Sequence, residues 1–121
     1  MEYRKITVNE YDCYIVNIHN MFLCGYIKIP KNNYYFGKNY DYLNFGKDEI
    51  SIGCDWTYSG KNIPTCPDAG AGWFLGFDFA HDDDMIDLGE KLMSYKTDKN
   101  AIEIFEKATR MLNLSNIMVQ S

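Results

Sequence analysis

The sequence is poor in the residues that build most metal and nucleophilic sites. It has only two histidines, His19 and His81. No His-x-x-x-His pair can therefore lie on one helix face, and no Cys-x-x-Cys pair is present to begin a structural zinc site. No glycine-rich phosphate loop, dinucleotide fingerprint or nucleophile elbow occurs. No apolar run approaches the about 18 residues of a membrane span. The start, Met-Glu-Tyr-Arg-Lys, leads into no apolar signal segment, which predicts a cytoplasmic protein. Positive charge is also in deficit. Twelve Lys and Arg face 17 Asp and Glu, for a net charge of -5 and a pI near 4.9. Such a field repels phosphate backbones, so direct nucleic-acid binding is not expected. It attracts basic partners, including the nucleic-acid groove of another protein.

Apolar and aromatic residues, by contrast, are plentiful. The 121 residues are 46% hydrophobic, with ten tyrosines and seven phenylalanines. This excludes a disordered chain and fits one domain with a core of its own. The four cysteines, Cys13, Cys24, Cys54 and Cys66, permit two disulfides in three pairings. A cytoplasmic setting predicts free thiols instead.

Residues 3–8 read as a first strand and Asn9-Glu10 as a turn. Residues 11–18 alternate as a second strand, with Tyr11, Cys13 and Ile15 on one face and Asp12, Tyr14, Val16 and Ile18 on the other. His19-Asn20 reads as a hairpin turn leading into a strand over 21–29, which Pro30 stops. Residues 31–48 carry no sustained period and form a long polar loop, in which five aromatics, Tyr34, Tyr35, Phe36, Tyr40 and Tyr42, are expected to be exposed or half-exposed. Long loops inside compact domains are often functional. These aromatics either fold back onto the sheet or present a surface for a flat ligand or a protein partner. A strand over 49–58 follows, with Trp56 and Tyr58 on one face, and then a loop over 59–71.

The central stretch is 72–84, Gly-Trp-Phe-Leu-Gly-Phe-Asp-Phe-Ala-His-Asp-Asp-Asp. Residues 72–80 are apolar on both faces, as in an interior strand covered on both sides. Asp78 within such a strand needs a hydrogen-bond partner or a place at the sheet rim. Asp82, Asp83 and Asp84 cap a helix over 84–93. After a link at 94–97, a second helix spans 98–113, capped by Asp98 or Asn100. Ile102, Phe105, Ala108, Thr109 and Leu112 form its buried stripe, and 114–121 is a loose tail. The expected fold is α+β: an antiparallel sheet of about five strands with two C-terminal helices on one face.

Several chemistries fit these residues. Asp55, Asp78 and His81 can hold a hard metal ion or perform acid–base work. Asp78 and His81 are an odd number of residues apart, however, so both serve one site only if the chain bends near Ala80. A thiol, Cys54 or Cys66, beside His81 is a further possibility. Binding asks less of the sequence: an aromatic loop, small polar residues on one strand face and an acidic exterior make an interface. A nucleotide binder would stack a base on the tyrosines and use Lys38, Lys47 or Lys61 for phosphate. No cofactor or bound metal is expected.

Four segments carry a resemblance: Gly-Tyr-Ile-Lys-Ile-Pro-Lys (25–31), Tyr-Tyr-Phe-Gly-Lys-Asn-Tyr-Asp (34–41), Thr-Tyr-Ser (57–59) and Gly-Trp-Phe-Leu-Gly-Phe-Asp-Phe-Ala-His (72–81). Their order resembles a family of small bacteriophage and prophage proteins. That family's pattern runs Gly-Tyr-x-x-Ile/Val-Pro, Tyr-Tyr-Gly-Lys-x-Tyr-Asp, His-Gly-Gly-x-Thr-Tyr-Ser and Trp-Trp-x-Gly-Phe-Asp-Cys-Ala-His. Gly53-Cys54-Asp55 stands where the pattern has His-Gly-Gly, and Phe79 where it has cysteine. Any chemistry relying on that His and Cys is absent here, and Asp78 and His81 are left with structural or binding roles. The resemblance implies a phage setting. By analogy with other small acidic phage proteins, it implies a non-catalytic inhibitor of a host defence component such as a CRISPR effector nuclease. The expected contact residues are Tyr34, Tyr35, Phe36, Tyr40, Tyr42, Asp78 and His81.

Overall fold

The computed structural model describes residues 3–18, 22–42, 56–78 and 95–120. Five strands are present: β1 (Tyr3–Val8), β2 (Tyr11–Ile18), β3 (Phe22–Lys28), β4 (Trp56–Gly60) and β5 (Phe74–Asp78). They form one antiparallel sheet in the order β1-β2-β3-β5-β4. One helix, α1 (Tyr95–Gln120), is found among the described residues. The helix expected over 84–93, the turn at His19-Asn20 and the residues 49–55 lie outside them. No helix among the described residues is long and apolar enough to cross a membrane.

Alternation in the sequence becomes two cores in space. Cys13, Ile15, Leu23, Ile27, Leu75 and Phe77 face α1 and pack with Ala101, Ile104, Phe105, Ala108 and Leu112. Tyr14, Val16, Cys24, Tyr26 and Phe74 face the other way and are covered by Ile63 and Cys66 from the β4–β5 loop. The β5 strand contributes to both clusters because its neighbours β3 and β4 flank it and each face has a cover, so period 2 leaves no residue for solvent.

The β1–β2 connection is a two-residue turn across the Val8–Tyr11 pair. Its central residues have φ of 49° at Asn9 and 71° at Glu10, as a type I′ turn requires. Asn9 tolerates this conformation, and its Nδ2 donates to Thr109 Oγ1 at 3.0 Å, tying the turn to α1. Glu10 has no such local excuse, since glycine is the preferred residue there. Glu10→Gly is expected to raise stability by about 0.5–1 kcal/mol, read as a higher urea midpoint. The relief of a left-handed side chain exceeds glycine's extra unfolded-state entropy.

Two expectations change at β4 and α1. Trp56 and Tyr58 do not share a face. Trp56 pairs with Phe77 and Tyr58 with Gly76, with a bulge between them. The extra residue reverses the alternation, so Trp56 joins the helix-side core and Tyr58 the opposite one. The α1 helix begins at Tyr95, so Asp98 and Asn100 fall inside it rather than at its cap, and residues 95–97, expected in a link, are helical. It continues to Gln120, so the expected tail is helical almost to the chain end. No glycine or proline follows Gly89 to stop it. Beyond Leu112 its buried stripe gives way to exposed Leu114 and Ile117, at 51% and 63% of full exposure.

Candidate functional site: the aromatic loop and the adjoining cleft

The segment from Pro30 to Tyr42 is built from successive turns. Asn33 N donates to Pro30 O, Phe36 N to Asn33 O and Lys38 N to Tyr35 O, each at 3.0 Å. Gly37, inside the last of these turns, supplies a left-handed φ of 81°. A short 3-10 turn at Tyr40–Tyr42 ends the described part.

Side chains then fasten these turns to the body. Asn33 is buried and uses both ends of its amide. Its Oδ1 accepts from Tyr35 N at 2.8 Å, and its Nδ2 donates to the Tyr11 hydroxyl at 3.1 Å. That hydroxyl donates in turn to Asn113 Oδ1 of α1 at 2.7 Å. Burial raises the Tyr11 pKa, against an opposing effect of the Asn33 hydrogen bond. The phenol therefore stays protonated and keeps its donor. On the far side, Trp73 Nε1 donates to Lys38 O at 3.0 Å and Tyr40 N donates to Ser59 Oγ at 3.2 Å. Tyr11→Phe leaves Asn33 and Asn113 without the bridging oxygen. It is expected to cost about 1–3 kcal/mol, with amide exchange rising first in residues 31–38, which a hydrogen-exchange experiment reads.

The fastening decides which aromatics can act. Tyr35 is buried in the helix-side core. Tyr34, Phe36 and Tyr40 are half-buried and pack against that core, keeping one side outward. Tyr34 meets Tyr35 edge-on at 5.2 Å, and Lys38 Nζ lies over the Tyr34 ring at 4.6 Å. One ring face is thus occupied by a cation–π contact, and the Lys38 ammonium is held at the ring rather than extended for phosphate. Tyr42 closes the 3-10 turn, and its side chain lies outside the described residues.

Asp78 is not part of this surface. It ends β5 opposite Cys24, half-buried, on the face away from α1. Four residues of strand, about 13 Å, separate it from the end of β5 that adjoins the loop. His81, Asp55 and Asp82 to Asp84 lie outside the described residues, so the metal or acid–base grouping has only Asp78 placed. Among the described residues no three His, Cys, Asp or Glu side chains are grouped to hold a metal ion. Cys13, Cys24 and Cys66 are free and buried. Burial pushes the Cys13 thiol up to about 12 and the Cys24 thiol to about 11, the latter helped by the Asp78 charge. Burial raises Cys66 as well. Thiols so held carry little thiolate at neutral pH and are poor nucleophiles.

A cleft of about 340 Å³ adjoins the loop at the turn end of the sheet. Ile29, Pro30 and Phe36 give it apolar walls, Ala71 and Gly72 close one side, and Glu10, Asp12, Lys28 and Lys31 bring both signs of charge. A Cβ at Gly72 would come within 2.9 Å of Lys28 Cε, so a larger residue there would move the Lys28 side chain. Sequence reasoning passed over Glu10, Asp12, Lys28 and Lys31, which belong to separate strands and turns. The one available signal was glutamate at a turn position where glycine is usual. Comparisons with known protein families, curated proteins and solved structures find no match for the chain.

Proposed function

We propose that the chain acts by binding a protein partner, as a phage-borne inhibitor of a host defence component, with a CRISPR effector nuclease as the target. The observation that supports this reading is the loop Pro30–Tyr42. Its half-buried aromatics and charged residues are held by side-chain bonds from β2, β4, Trp73 and α1. A surface fixed before binding loses little conformational entropy on association. Half-exposed tyrosine and phenylalanine are common anchors in such interfaces. The net charge of -5 favours encounter with a basic channel of the kind that holds nucleic acid. The phage setting comes from the four-segment resemblance, and the target class from analogy.

The test is a pull-down with tagged protein from cells carrying an active CRISPR effector, paired with a plasmid-interference assay in the same cells. A stoichiometric complex with the effector and loss of interference are expected, and Tyr34→Ala with Tyr40→Ala should weaken both. Undiminished interference with no retained effector would sink the proposal. A rise in melting temperature on adding cyclic nucleotides, with no such complex, would replace it with sequestration of a nucleotide signal.

A further inference from the structure

The structure assigns a second binding site, the cleft at the turn end of the sheet, to a free α-amino acid with an apolar side chain. The assignment does not rest on the inhibitor reading and is tested on the isolated protein.

The wall chemistry selects the ligand. Register places Cys13 opposite Ile27, so Asp12 and Lys28 adjoin that pair on the face away from α1. Both have partners within the protein. Asp12 Oδ2 lies 3.7 Å from Lys5 Nζ, and Lys28 Nζ sits 5.9 Å above the Phe74 ring. Glu10 and Lys31 line the same cleft and make no ion pair with another described residue. A phosphate or a simple carboxylate would meet two protein carboxylates here. A metal ion or a simple amine would meet two ammonium groups. A ligand with one charge of each sign satisfies both sets, its ammonium toward Glu10 and its carboxylate toward Lys31. Pro30 and the half-buried Phe36 offer its side chain an apolar surface.

Size narrows the choice further. The volume, about 340 Å³, lies at the small end of the roughly 300–1,000 Å³ of ligand pockets. It suits one residue and its head group, not a helix or strand of a partner. The β1–β2 turn sets a φ of 71° at Glu10, a conformation in which glutamate is costly and glycine is not. Glycine would relax this turn, and it would also remove the carboxylate from the cleft.

An amide-resolved NMR titration of the full chain with L-leucine and L-phenylalanine tests the assignment. Saturable shifts are expected at Glu10, Lys28 to Lys31, Phe36 and Gly72. N-acetyl-leucine, which lacks the ammonium, and leucinamide, which lacks the carboxylate, should each bind about tenfold more weakly. Glu10→Gln should lose affinity for leucine and for leucinamide while leaving the weak binding of N-acetyl-leucine unchanged, and Lys107→Gln, on the outer face of α1, should bind as the parent does. Absence of saturable shifts up to the solubility limit overturns the assignment. So do shifts centred elsewhere, or equal binding of leucine and its two singly charged analogues. Each of these outcomes leaves the pull-down result untouched.

Discussion

Phe105→Ala is expected to lower the unfolding free energy by about 3–5 kcal/mol, the range for removing a large aromatic from a packed core. Phe105 is fully buried on α1. Its ring meets Phe77 of β5 at 5.7 Å, and Phe77 meets Trp56 of β4 edge-to-face at 5.2 Å. The three rings link the helix to the β4 edge of the sheet. Truncation removes the apolar contact of one ring and leaves a cavity that backbone on both sides cannot close. A domain of this size is stable by about 5–15 kcal/mol, so the variant loses a large share of its margin. Urea denaturation checks this through a lower midpoint at unchanged slope. A loss under about 1 kcal/mol would show that α1 packs less closely on the sheet than described.

Gly76→Val should destabilise the protein by about 1–3 kcal/mol or more, through overpacking rather than a cavity. Gly76 pairs with Tyr26 across β3 and β5. A Cβ at this position would lie 2.5 Å from Tyr26 Cδ1 and 3.2 Å from the Gly25 carbonyl oxygen. The Tyr26 ring covers the glycine and is met edge-on by Tyr58 at 5.5 Å. The Tyr58 hydroxyl donates to the Asn62 carbonyl, so that neighbour is fixed too. Tyr26 cannot swing aside without displacing Tyr58, and the backbone oxygen cannot yield at all. Tyr26→Ala in the Gly76→Val background should recover part of the loss by vacating the space. Non-additivity in that double-mutant cycle is the diagnostic readout. Strict additivity would mean that the clash lies elsewhere.

Phe105→Ala bears on the proposed function through rigidity. The helix-side core supports the Asn113–Tyr11–Asn33 chain of hydrogen bonds that holds the aromatic loop. Loosening α1 should therefore release the loop before the sheet unfolds. Partner affinity should fall more steeply in Phe105→Ala than in Glu10→Gly, which leaves that chain intact.

Much of this protein was determined locally. Alternation alone separates Tyr11, Cys13 and Ile15 from Tyr14 and Val16, and the two groups do enter different cores. The apolar residues on both sides of 74–77 mark an interior strand, which β5 is. The stripe of Phe105, Ala108, Thr109 and Leu112 marks the buried face of the helix. Each of these follows from a period that side-chain geometry imposes on neighbours in sequence. Three features depended on tertiary structure. The bulge beside Trp56 sends Tyr58 to the other face, and its cause lies in pairing with β5 rather than within β4. Tyr35 is buried in the helix-side core beside Asn33, which is fastened to Tyr11 and, through it, to Asn113, 102 residues from Tyr11 in the chain. The cleft joins Glu10, Lys31 with Phe36, and Gly72 from three separate segments. No local propensity encodes such meetings. They are fixed by strand order and register, which are properties of the assembled sheet.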